Sequence, residues 1–194
     1  MRNLQTEAMK FILTRTLIVV FLAVAMAGIS SAQDLKVTEK VLPNGLKVLL
    51  KEEHKSPVAT FQVWYRVGSR NERLGKTGMS HLLEHMMFKG TKKYGPKLFS
   101  RTVQKSGGND NAFTSKNYTA YFENFSADSL ELAMELESDR MRGLLLEQKD
   151  FLSEREVVKE ERRLRTEDAP RAMLYEQATA ITFMASPYRR PIIG

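Results

Sequence analysis

The pentad His81-Leu82-Leu83-Glu84-His85 limits the local fold more than any other stretch of this 194-residue chain. Two histidines four apart share a face on an α-helix, where they stand about 6 Å apart along the axis. At that spacing two imidazoles can close on one zinc ion with bonds of about 2 Å. Glu84 shares their face and can take a proton from an activated water. On a helical wheel Met79, Leu82, Leu83 and Met86 fall together, opposite His81, Glu84 and His85. The pattern predicts a helix over about residues 77–88, with an apolar face for a core and a separate face of ligand-type groups. The bland alternative is an exposed helix with two surface histidines.

A zinc site that performs chemistry needs a third protein ligand and an open position. The only other histidine, His54, sits in Glu52-Glu53-His54-Lys55-Ser56-Pro57, which reads as a polar loop, so it is set aside. Residues 151–165 are rich in strong helix formers. Val157, Val158 and Leu164 define an apolar stripe there, with Phe151 at its edge, and Glu154 and Glu161 fall inside it. Carboxylates on an inward face need a cation or another partner. The two lie about 10 Å apart along the axis, so one is expected to ligate and the other to orient a histidine or an arginine. The wheel does not rank them, and a pair of ion pairs to buried arginines would satisfy it equally.

Taken in order, these motifs and their neighbours resemble the M16 metallopeptidases, which include pitrilysin, insulin-degrading enzyme and the β subunit of the mitochondrial processing peptidase. The pentad is the inverted H-x-x-E-H zinc pattern of that family. Before it stand Leu42-Pro43-Asn44-Gly45-Leu46-Lys47-Val48 and Val67-Gly68-Ser69-Arg70-Asn71-Glu72. The pentad lies within Gly78 to Phe88, followed by Lys89-Gly90-Thr91. After it come Asn111-Ala112-Phe113-Thr114-Ser115, Tyr118-Thr119-Ala120-Tyr121-Phe122 and Glu154-Arg155-Glu156-Val157-Val158-Lys159-Glu160-Glu161. The resemblance runs from about Lys40 to the last residue.

That resemblance implies one zinc ion per chain, held by His81, His85 and Glu161. Glu154 becomes the carboxylate behind a ligand, and Glu84 the general base of peptide hydrolysis. It also implies that the strand beginning near Asn111 is an edge to which a peptide substrate adds as an extra strand, touching Asn111 and Ala112. Read locally, Gly107 and Gly108 end a helix over residues 96–105, and an ordinary strand follows. A further implied partner is a second M16-like half or subunit that closes the substrate chamber. None of that half is present, and Pro187 to Gly194 resembles a mid-domain segment, so a truncated chain or fragment is expected. The alternative function is a non-catalytic zinc-binding or assembly subunit, or an inactive fragment. Glu84 argues for catalysis, because a structural zinc site closes its fourth position and needs no base.

Residues 17–29 form a continuous apolar run, too short for a membrane span of about 20 residues. Lys10 and Arg15 precede it and Ser30-Ser31-Ala32 follows, the pattern of a secretory signal peptide over residues 1–32. The expected location is the periplasm or the exterior, with an uncleaved membrane anchor as the alternative. Residues 33–194 are then one zinc-binding peptidase domain, incomplete at its end. No cysteine is present, so disulfides are excluded. The net charge of +7 does not indicate nucleic acid. The densest basic stretch, Arg162-Arg163-Leu164-Arg165, is interleaved with acids and lacks an aromatic platform.

Strands are expected over residues 37–42 and 46–52 across an Asn44-Gly45 turn, and over 58–67, 111–114 and 118–125. Helices are expected over 128–141, 151–165 and 171–183, the first opened by an Asp128/Glu131 capping box. Strands followed by helices indicate an α+β fold of two layers: one mixed or antiparallel sheet with helices packed on one face. The M16 family, processing-peptidase-like, has that fold.

Overall fold

The computed structural model describes residues 14–16 and 36–194, so the signal peptide read over residues 1–32 lies outside the described residues except at Thr14, Arg15 and Thr16. The chain divides into two compact units, one ending at Lys55 and one beginning at Ser56. Among the described residues no helix is long and apolar enough to cross a membrane.

In the first unit β1 (Thr38–Val41) pairs antiparallel with β2 (Lys47–Leu50). The Asn44-Gly45 turn closes the hairpin as its residues dictate. Gly45 adopts φ 84°, and the Leu46 amide donates to Asn44 Oδ1 at 3.1 Å. Both strands are shorter than expected.

The second unit holds a three-stranded antiparallel sheet in the order β3-β5-β4, formed by β3 (Val58–Tyr65), β4 (Asn109–Thr114) and β5 (Thr119–Ser126). β3 and β5 pair over eight positions, from Val58 with Ser126 to Tyr65 with Thr119. Alternation decides the faces. Tyr65, Tyr121 and Glu123 turn towards the helices, and Trp64, Phe113 and Phe122 turn the other way. This agrees with an α+β fold, with one correction. The strands were expected in one sheet, but they pair as two, and both are purely antiparallel. The tight Asn44-Gly45 turn lets β1 and β2 satisfy each other locally, and β3 gives its ladder to β5.

The helices are α1 (Met79–Met86), α2 (Leu98–Lys105), α3 (Leu130–Gly143), α4 (Gln148–Arg162) and α5 (Pro170–Thr182). Residues Arg163–Glu167 form a π turn after α4. The expected capping box is not formed. Asp128 falls inside a 3₁₀ turn, Ala127–Ser129, and no side chain caps α3.

Phe99 and Val103 of α2 meet Leu136 of α3 in the apolar core, with Tyr94 and Leu132 against them. Beside it lies a buried polar cluster. Arg140 is 2% exposed, pairs with Glu137 and Glu123, and is enclosed by the rings of Phe88, Phe99 and Tyr121 at 4.2–5.4 Å. A guanidinium can be buried this way because two glutamate side chains and three ring faces replace its water.

Candidate metal centre

α1 begins where the chemistry of its entry residues permits. Gly78, at its N-cap, has φ 84°, and a Cβ there would lie 2.5 Å from the Ile193 carbonyl oxygen. The buried Glu72 carboxylate then caps the helix. It accepts from the Gly78 amide at 2.8 Å and from the Ser80 amide at 2.7 Å. Two orphan donors and the positive helix end thus meet one anion.

The face that α1 buries differs from the wheel's expectation. Met79 and Leu83 are exposed, while Ser80, His81 and Met86 are buried. The histidine face is turned inward because α4 stands against it. α4 shows the same displacement. Glu154 and Val158 are buried, whereas Val157 and Leu164, assigned to the apolar stripe, are exposed, as is Phe151. From this turned side of α4, Glu154 and Glu161 face the histidines of α1.

Glu161 Oε2 stands 3.8 Å from His81 Nε2 and 3.4 Å from His85 Nε2. The ligand-type atoms of His81, His85 and Glu161 all lie within 4.8 Å of one another. A tetrahedral zinc ion with bonds of about 2.0–2.1 Å holds its ligand atoms about 3.4 Å apart, so the three residues fit such an ion. Glu154 Oε1 lies 3.0 Å from His85 Nδ1. A carboxylate only accepts, so this contact places the proton on Nδ1 and leaves the Nε2 lone pair facing the site. Burial pushes Glu154 up, but hydrogen bonds from Lys89 and His85 outweigh it and hold the carboxyl below its ordinary pKa. His81 is pushed below the ordinary histidine pKa by burial and then by His85, which keeps it a neutral donor. Its Nδ1 is buried without a hydrogen-bond partner among the described residues.

Glu84 accepts a hydrogen bond from Thr114 Oγ1. Burial raises the Glu84 pKa, against the opposing pull of that hydrogen bond. Asn111 and Ala112 line the same cavity of about 750 Å³ as His81, Glu84, His85 and Glu161. β4 is an edge of its sheet among the described residues. The Ala112 amide donates to its neighbour's Asn111 Oδ1 at 2.8 Å instead of to β5. His54 pairs with Glu52 at 3.4 Å on an exposed stretch of the first unit.

Sequence reasoning assigned no role to Glu72, Thr114, Lys89 or Arg165. Arg165 pairs with Glu161 Oε1 at 2.5 Å. Thr114 could have been found from its alternation with Ala112 on β4, and Arg165 from its i+4 spacing to Glu161. Lys89 is placed by packing and leaves no such signal.

A family model described as Insulinase (Peptidase family M16) matches residues 47–194. Zinc protease PqqE of Helicobacter pylori is 42% identical over 154 residues, covering 79% of this chain and 35% of that protein. The probable mitochondrial-processing peptidase subunit beta of Arabidopsis thaliana is 31% identical, covering 86% of this chain and 31% of its own length. A solved protease from Helicobacter pylori superposes with a TM-score of 0.78 at 41% identity, over 82% of this chain and 38% of that one. Pitrilysin gives 0.71 at 27% identity, over 85% and 18%. The chain thus spans about a third of the length of the curated relatives it matches.

Proposed function

Because this chain belongs to the insulinase (M16) peptidase family, we propose that it carries the catalytic zinc site of an endopeptidase acting on peptides or unfolded polypeptides. The observation that carries this reading is the approach of Glu161, from α4, to both imidazoles of α1. His81, His85 and Glu161 would hold one zinc ion, with Glu154 orienting His85. When bound, zinc supplies Lewis-acid polarisation of the scissile carbonyl and the attacking water.

The remaining work falls to the chain's own residues. Glu84 takes the proton of the attacking water and passes it to the leaving amine. Its partial burial favours proton uptake, and Thr114 holds the carboxylate in place between the two transfers. The open edge of β4 at Asn111 and Ala112 aligns the substrate backbone as a further strand, so that side-chain identity matters less than an extended conformation. A second M16-like half or subunit closes the chamber. The leader read in residues 1–32 assigns the protein to the periplasm or the exterior.

The test is zinc stoichiometry together with cleavage of an unfolded peptide by the protein completed with its second half. One zinc per chain and chelator-sensitive cleavage are expected. Zinc binding without any hydrolysis would leave only the non-catalytic alternative.

A further inference from the structure

Between Glu84 and Asp110 the chain contains no carboxylate, yet it contains Lys89, Lys92, Lys93, Lys97, Arg101 and Lys105. Two of these are neutralised internally: Lys89 pairs with Glu154, and Lys93 with Glu135. Lys97, Arg101 and Lys105 have no carboxylate partner among the described residues and are exposed. They recur every four residues from the N-cap of α2 to its last residue, a row about 12 Å long that winds gradually around the helix. The opposite face of α2 is committed to the core through Phe99 and Val103, so the line cannot turn inward. Glu135 of α3 is occupied by Lys93 and Tyr94, and Asp110 accepts from Ser100 of α2 at 2.6 Å. The contrast with α4 is plain. There Arg155 and Lys159 pair with Glu156, and Arg162 pairs with Glu167 and Glu176.

A second observation points to the same place. Lys97 is the only non-glycine residue with positive φ among the described residues, at 64°. It also stands as a cation at the N-cap of a helix whose first turn has no acidic residue. Backbone strain and an unfavourable charge at the positive helix end coincide at one exposed lysine. Such local inconsistencies persist where a side chain is needed outside the fold.

We infer that the outer face of α2, through Lys97, Arg101 and Lys105, docks the protein on an anionic phospholipid surface. The chemistry favours a membrane over other polyanions. Of the large apolar residues of α2, only Leu98 is exposed, at 41%. A protein interface would be expected to centre on an aromatic or apolar anchor in a pocket, and a single-stranded nucleic acid on a stacking platform. Laterally mobile headgroups need no fixed register, which suits flexible cations in a line. This inference does not depend on the peptidase reading.

The test is co-sedimentation of the full chain with vesicles of phosphatidylcholine alone or with about a third phosphatidylglycerol, read as the ratio of the two affinities. That ratio removes the apolar contribution of the leader, and its basic residues are common to the parent and both variants. The parent should prefer anionic vesicles, and the preference should fade with salt. The triple variant Lys97→Gln, Arg101→Gln, Lys105→Gln should lose about tenfold or more of it, since each basic residue near such a surface is worth about fivefold. The control Arg155→Gln, Lys159→Gln, Arg163→Gln removes the same charge from α4 and the π turn after it, and should stay within about twofold of the parent. No preference in the parent, or an equal loss in both variants, overturns the inference. So does capture by duplex DNA at a salt concentration where anionic vesicles no longer bind, which would assign the stripe to another polyanion.

Discussion

Glu161 and Glu154 sit on the same helix but do different things. One faces the Nε2 atoms of both imidazoles, and the other faces His85 Nδ1. Their substitutions should therefore separate. Glu154→Gln leaves the ligand set intact and should weaken zinc binding about 10–100-fold, as loss of an orienting partner does. Glu161→Gln should weaken it further. Glu84→Gln should retain zinc and lose about 10²–10⁴ in kcat, because only proton transfer is removed. Competition with a chromogenic chelator, followed by turnover of the zinc-loaded variants, reads all three. Equal zinc retention in Glu161→Gln and the parent would show that Glu161 is no ligand. The pentad was legible because helical spacing is local. The division of labour between Glu154 and Glu161 was not legible from the wheel, because it depends on how α4 is rotated against α1. Met79, Leu83, Val157 and Leu164 show the cost of reading apolar residues as the buried face: all four are exposed.

Two buried polar contacts tie elements of the second unit together. The first is the entry of α1, held by Glu72 through the Gly78 and Ser80 amides. Glu72→Ala strips two charge-assisted hydrogen bonds from a buried helix end and should destabilise the zinc-free protein by about 3 kcal/mol in urea unfolding. A loss under about 0.5 kcal/mol would mean that the cap is replaced by water. The second is the contact of α3 with β5. Burial, and then the adjacent Glu137, push the Glu123 pKa well above the ordinary carboxylate range. With its folded pKa raised, the proton on Glu123 contributes stability in full below about pH 4.3, and that stability is lost as pH rises towards the alkaline range. Glu123→Gln is neutral at every pH. Its thermal midpoint should accordingly fall less than the parent's between about pH 6 and pH 9. Identical pH profiles would show that Glu123 does not hold that proton. Neither device could be read in advance. Glu72 is six residues from the glycine it caps, and Glu123, Glu137 and Arg140 meet only after β5 and α3 pack.

For the whole molecule, alternation and helix periodicity were enough to place every strand and helix of the second unit within a few residues. Sheet partnership was less accessible, because strand patterns state which face is buried and not which strand is the neighbour. That is why one sheet was expected and two were found. Among the described residues the order β3-β5-β4 leaves β4 at an edge of its sheet, where it lines one cavity with the histidines, Glu84 and Glu161. A single divalent ion held between α1 and α4 is the claim on which the functional account rests. Anomalous diffraction at the zinc edge from crystals of the zinc-loaded protein tests it most directly. The account predicts one peak per chain, about 2.0–2.2 Å from His81 Nε2, His85 Nε2 and a carboxylate oxygen of Glu161, with Glu154 still against His85 Nδ1. A peak elsewhere, or one that leaves Glu161 out of reach, would contradict it.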